Sequence, residues 1–253
     1  MHRRFIAVDP RRTDLPAITN TPAQPAMLRT TILSLTLLCP VLAVAESGEA
    51  DSDSGFVSLF DGQTLTGWTG ATDGYEAEQG VLTCIQTKGG NLMTEKEYAN
   101  FVLRLDFVCP EGGNNGVGLR VPKGGHASTD GFEIQVLDDE AEQYVKLQPY
   151  QYCGSVYGII PAKRGHLKPA GEWNSMEISL IGRDIHVILN DVAIVDGNLD
   201  EASTPMTMDG KDHPGLKRTT GHIGFLGHGA RVQYRNIRIK EVALPTDKAD
   251  SAE

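Results

Sequence analysis

Apolar and polar residues alternate along most of the chain from Gly55 onward. In "NFVLRLDFV" (100–108), Phe101, Leu103, Leu105 and Phe107 fall on one side and Arg104 and Asp106 on the other, the pattern of a half-buried antiparallel strand. The same reading predicts strands over 56–60, 75–78, 81–85, 115–121, 131–137, 154–160, 174–181, 184–190, 192–196, 221–226 and 231–242. No window carries a helical apolar stripe, and the 28 glycines and 13 prolines fall largely between the runs, where turns need them. The expected fold is therefore all-β, two antiparallel sheets packed as a sandwich. The absence of a fixed-period repeat weighs against a propeller or solenoid. Loops are expected at 86–97, 110–114, 122–130, 138–153, 161–172 and 197–220, and the last is long enough to be functional or mobile.

Ahead of the alternating region the pattern changes. Residues 1–26 are rich in Arg and Pro without periodicity and read as an extension ahead of a true start at Met27. "MLRTTILSLTLLCPVLAVA" (27–45) has a basic start, a short apolar run and an A-x-A ending, which predicts a secretory signal too short to span a membrane. The residues before Cys39 lack the small side chains of a lipidation site, so periplasmic or secreted release is expected rather than anchoring. Residues 46–54 then form a linker, 55–242 one domain, and 243–253 a frayed tail.

Composition sharpens this picture. Removing residues 1–45 takes away five Arg and two Asp and leaves 18 basic against 31 acidic side chains, about −13. Such a charge repels phosphate backbones and anionic lipid, so no nucleic-acid or membrane partner is expected, and a neutral small molecule fits better. Cys84, Cys109 and Cys153 match no zinc spacing and read as buried small hydrophobes. Trp68 and Trp173 read as core anchors, and His166, His213 and His222 as surface residues.

The stretch "GFEIQVLDD" (131–139) is the informative exception. Phe132, Ile134 and Val136 point to one face, leaving Glu133 and Gln135 on the other. A carboxylate backed by an apolar face is partly desolvated, which raises its pKa toward a range useful for acid–base work. The alternative is a rim carboxylate paired with Arg120 or Arg104. Gln135 either binds hydroxyls or is merely solvated. In "NNGVGLR" (114–120), alternation puts Gly116, Gly118 and Arg120 on one face, where glycines let a ring approach the backbone.

Several stretches, taken in order, resemble the 3-keto-disaccharide hydrolase domain family: "GFVSLFDGQTLTGW" (55–68), "NNGVGLR", "GFEIQVLDD", "GSVYGIIPA" (154–162), "GEWNSMEI" (171–178), "HVILND" (186–191) and "GHIGFLGHGARVQYRNIRIKEV" (221–242). The chain departs from the family pattern at Asn190-Asp191, where Asn-Gly is common, and at Gly227, where a polar residue often stands. The resemblance implies a concanavalin A-like jelly-roll sandwich. It also implies an exported enzyme cleaving 3-keto-glycosides, 3-keto-glucoside 1,2-lyase or 3-keto-2-hydroxyglucal hydratase chemistry, by 1,2-elimination, hydration, or both.

That chemistry needs a base, donors for an enolate oxygen, and an acid for the leaving group. Glu133, Arg120 and His186 are the catalytic candidates, with Arg120 either holding Glu133 or donating to the oxyanion. Gln135, Asn115, Tyr157, Asn190, His228 and Asp138 are the substrate-binding candidates. For Asn114 and Asn115 the turn-forming reading is the stronger one, and Tyr157 reads alternatively as a core aromatic. The acidic run from Asp138 leaves room for a divalent metal ion, without ordered ligand spacing. Two alternatives remain open. One is an endo-β-glucanase, whose E-x-D-x-x-E is matched here by E-x-Q-x-x-D at 133–138. The other is a non-catalytic, lectin-like carbohydrate-binding module.

Overall fold

The computed structural model describes residues 53–244. The expected extension, leader, most of the expected linker and nearly all of the expected tail lie outside the described residues. Thirteen strands are present among them: β1 (Val57–Ser58), β2 (Trp68–Gly70), β3 (Tyr75–Glu78), β4 (Val81–Cys84), β5 (Gly90–Tyr98), β6 (Phe101–Val108), β7 (Asn114–Val121), β8 (Phe132–Leu137), β9 (Trp173–Ile181), β10 (Asp184–Leu189), β11 (Val192–Asn198), β12 (Gly221–Gly227) and β13 (Gln233–Glu241). Two four-residue helices, α1 (Ala127–Asp130) and α2 (Leu199–Ala202), sit in connections. One sheet has the order β11-β10-β9-β6-β13-β4-β3 with β1 also on β13, and the other has β2-β5-β12-β7-β8. All pairings are antiparallel, and the chain forms the expected all-β jelly-roll sandwich.

The inward positions of both sheets fill the space between them. Phe101, Leu103, Leu105 and Phe107 of β6 are at most 2 % exposed, as alternation predicts. Facing them are Val117 and Leu119 of β7, Phe132, Ile134 and Val136 of β8, and Phe225 of β12. Phe225 stacks on Tyr234 at 3.9 Å and on Trp68 at 5.5 Å, so the aromatics join the two sheets. Cys84, Cys109 and Cys153 are free and buried, as expected.

Besides the short β2, which no predicted strand covers, two elements differ from expectation. Residues 86–97, expected as a loop, contain most of β5, which lies between β2 and β12. Its run Glu95–Glu97 is exposed, and its register with β12 shifts between His222 and Gly224, so the bulge breaks the alternation that would have identified it. Conversely, 154–160 makes only isolated bridges, Ile134 to Val156 and Val156 to Ile160.

A second irregularity decides a functional question. Gly118 pairs with Gly224, but Val121 pairs with His222, so β7 carries one extra residue there, and Arg120 has φ +50°. The bulge inverts the alternation. Val121 joins Met93, Ala127 and Leu226 in a small apolar cluster apart from the main core, while Arg120 is turned inward and buried.

Candidate active site

The outer face of the five-stranded sheet holds Glu133. On β8, Glu133 is opposite Gly118 and Gln135 opposite Gly116. On the other side of β8, the Ile134–Val156 bridge brings Tyr157 opposite Glu133, with the Tyr157 N–H donating to the Glu133 carbonyl at 2.9 Å. Directly opposed residues point to the same face, so Glu133 and Tyr157 stand side by side.

The glycines explain how the carboxyl fits. A Cβ built on Gly116 would stand 2.0 Å from Glu133 Oε1 and 2.7 Å from Cδ, so the Glu133 side chain occupies the space a larger residue at 116 would fill. Glu133 is 6 % exposed, and its carboxyl has neither hydrogen-bond partner nor ion pair among the described residues. Burial alone pushes its pKa up to about 8 from 4.5.

Uncharged donors and acceptors flank Glu133 in register, Gln135 along β8 and Tyr157 across the bridge, while Asn114 and His228 end the adjoining strands β7 and β12. Gln135 is buried beside it, and its Oε1 accepts from the Val136 N–H at 3.2 Å. Tyr157 accepts a hydrogen bond from Gln151 Nε2 at 3.0 Å, which leaves its own hydroxyl hydrogen free to donate. Asn114 Oδ1, at the start of β7, is buried without a partner among the described residues. His228, one residue past β12, is exposed, and partial desolvation together with the neighbouring His126 lowers its pKa. The ensemble suits proton transfer to and from a neutral, hydroxyl-rich ligand.

Other predicted residues stand elsewhere. Arg120 holds no carboxylate: its guanidinium donates to the carbonyls of Ala99, Arg218 and Gly182 at 2.8–3.2 Å, because the β7 bulge turns it away from the Glu133 face. His186 alternates outward as expected, but on the other sheet, where it pairs with Asp196 at 2.9 Å and is half-exposed. Asn115 points between the sheets, its Oδ1 accepting from Gly116 N, Leu226 N and the Tyr234 hydroxyl. Asn190 sits in the β10–β11 hairpin turn with φ +49°, bound to Ser175 N, His166 O and Asn174 Oδ1. Arg104, the other suggested partner of Glu133, pairs with Glu177 on the opposite sheet.

Asp138 is also a loop anchor, accepting from the Gly112 N–H at 2.8 Å. Five residues along a strand span about 16 Å and reverse the face, whereas a retaining glycosidase needs its carboxyls about 5–5.5 Å apart. Glu133 and Asp138 do not form that pair. Among the described residues no three His, Cys, Asp or Glu side chains gather as a metal site. Two histidines expected at the surface are buried: His213 is 7 % exposed and His222 8 %. Trp68 is a core anchor as expected, while Trp173 is half-buried under the Arg235 guanidinium, 4.0 Å from its ring.

Known proteins match the chain in family and in fold. A family model described as the 3-keto-alpha-glucoside-1,2-lyase-like domain matches residues 55–240. A 3-keto-disaccharide hydrolase of Bacteroides thetaiotaomicron is 25% identical over 237 residues, covering 75% of this chain and 79% of that protein. Two solved structures from Parabacteroides distasonis, provisionally named glycosyl hydrolases, are similar in fold. One is 31% identical with a TM-score of 0.66, covering 74% of this chain and 99% of that one. The other is 28% identical with a TM-score of 0.66, covering 75% and 94%.

Proposed function

We propose a function from one premise: the chain belongs to the 3-keto-alpha-glucoside-1,2-lyase-like family. The protein is an enzyme that cleaves the glycosidic bond of a 3-keto-glycoside by elimination followed by hydration. The observation that carries this reading is the Glu133 carboxyl, buried beside Gly116 and unpartnered among the described residues.

The ketone at sugar carbon 3 acidifies the hydrogen on carbon 2. Ionised Glu133 takes that proton, and the electron pair moves onto the ketone oxygen as an enolate, which the Tyr157 hydroxyl stabilises by donating. The enolate then collapses: the carbonyl re-forms, a double bond forms between carbons 1 and 2, and the bond from carbon 1 to the aglycone oxygen breaks. The proton gained by Glu133 leaves on that oxygen, so the carboxyl ends ionised as it began. Water then adds across the new double bond, hydroxyl to carbon 1 and hydrogen to carbon 2. The sum is hydrolysis. A carboxyl near pKa 8 is a far stronger base than an ordinary one while still partly ionised at neutral pH, a balance suited to a carbon acid.

The test is consumption of a purified 3-keto-glucoside by the full chain, with aglycone release followed directly. Elimination predicts that deuterium at carbon 2 slows the reaction or washes into solvent. A protein that binds the sugar but turns none over, with affinity unchanged in Glu133→Gln, would be the lectin-like module instead. We further propose that residues 27–45 direct export, which N-terminal sequencing of the mature protein checks by finding a start near residue 46.

A further inference from the structure

The connection from β11 to β12 carries a second acid–base pair. Asp209 and His213 meet at 3.0 Å from Oδ1 to Nε2, and each side chain is 5 % exposed. Burial pushes Asp209 up, but hydrogen bonds from the Lys211 N–H, His213 and Thr207 outweigh it and hold the carboxyl below its ordinary range. Asp209 is therefore an anion, and His213 presents its Nε2–H to it. His213 Nδ1 is buried without a partner among the described residues. Such an orphaned atom is rare in a folded interior and persists where surrounding contacts dictate the arrangement.

Those contacts lead to Glu133. A Cβ on Gly158 would lie 2.7 Å from Asp209 Oδ2 and 3.1 Å from His213 Cε1, and Gly158 has φ +78°. The Asp209 N–H donates to the Gly158 carbonyl at 3.0 Å. Gly158 directly follows Tyr157, the residue opposite Glu133. Two residues beyond His213, Gly215 lies against the junction that leads into β8: a Cβ there would stand 2.1 Å from the carbonyl oxygen of Gly131, two residues before Glu133. The segment thus touches both backbones that set the spacing of Glu133 and Tyr157.

We propose that the Asp209–His213 pair is a positioning device that holds the Tyr157–Gly158 backbone against β8 and so keeps Glu133 and Tyr157 in reacting geometry. The pair touches no substrate. The inference rests on the role assigned above to Glu133.

The experiment compares wild type, His213→Ala, His213→Gln and Asp209→Asn in the full chain. It reads kcat and KM on a 3-keto-glucoside, the pH profile of kcat/KM, and the thermal midpoint. His213→Ala is expected to lower kcat about 10- to 100-fold, since small misplacements of reacting groups have effects of that size. KM should change by less than about threefold. The limb belonging to Glu133 should move from near pH 8 toward that of an ordinary carboxyl as water enters. Burial alone raises Glu133, with no charged side chain among the described residues contributing, so that movement reports solvent and not a lost charge. His213→Gln keeps a donor for Asp209 and should recover most of the rate. Should His213→Ala fail to fold, the isosteric Asp209→Asn is read by the same measurements. Unchanged kcat, or a lower midpoint with the limb unmoved, overturns the proposal. If wild type consumes no 3-keto-glucoside, the function is wrong but the positioning claim is still decided: the Glu133 pKa, titrated by carboxyl ¹³C NMR, must fall in the variant.

Discussion

Glu133→Gln exchanges a titrating carboxyl for an amide of the same shape, at a position where burial has raised the carboxyl to about 8 from 4.5. The native state holds this proton more tightly than the unfolded chain does. Stability attached to the group is therefore full below pH 4.5 and is lost as pH rises through 8. The loss amounts to about 3 kcal/mol by pH 7 and about 5 kcal/mol by pH 9, at about 1.4 kcal/mol per pH unit between the two pKa values. With the side chain 6 % exposed, solvent screening does little to reduce it. A domain of this size is stabilised by about 5–15 kcal/mol in total, so the effect is large. Glu133→Gln removes the titration, so its stability relative to wild type should climb across this window while turnover is lost. Urea unfolding of both proteins at intervals from about pH 4 to 9 measures it, with equal m-values as the check that only stability changed. Other groups cancel in the difference between the two curves. A difference that stays constant across the window would refute the reasoning, because it would mean that Glu133 titrates as a hydrated or paired carboxyl.

Further outcomes follow from the same geometry. Gly116→Ala places a methyl 2.0 Å from Glu133 Oε1 and should expel the carboxyl into water. Its pKa then falls by ¹³C NMR, stability drops about 1–3 kcal/mol, and kcat/KM falls about tenfold or more. Tyr157→Phe removes the hydroxyl that Gln151 orients and should lower kcat about 10- to 100-fold while the urea midpoint barely moves. Arg120→Ala leaves the carbonyls of Ala99, Arg218 and Gly182 without a buried donor, and should cost about 3–5 kcal/mol in urea unfolding. His186→Ala, on the other sheet with a half-exposed ion pair, should leave kcat/KM within about twofold and stability within about 1 kcal/mol.

The fold was legible where strands are regular. β6, β9 and β10 bury every second residue, and simple alternation locates them. β5 escaped because it carries two extra residues against β12, four steps from Met93 to Glu97 against two from Gly224 to His222, and this breaks the period of two over the exposed run Glu95–Glu97. The 154–160 stretch has strand-like composition, yet Gly154 and Gly158 both take positive φ, which limits it to bridges beside β8.

The site was legible in part, and the reason is the range over which alternation holds. Within β8 the pattern places Glu133 and Gln135 away from the core side chains, and the register then supplies Gly116 and Tyr157 as neighbours. Alternation names a face, however, and not a sheet, so His186 could point outward as read and still stand on the opposite side of the sandwich. It also fails at a bulge: one residue at φ +50° sends Arg120 inward and Val121 outward. Asp209 and His213 left a different trace, an i, i+4 pair in a long connection, which spacing alone does not separate from solvated charge. What separates them is the absence of side chains at Gly158 and Gly215, two positions far apart in sequence that each close on this segment or the strand behind it. If that fit is what keeps Glu133 dry, activity should be more sensitive to bulk at 158 and 215 than to the loss of any single charged group on the opposite sheet.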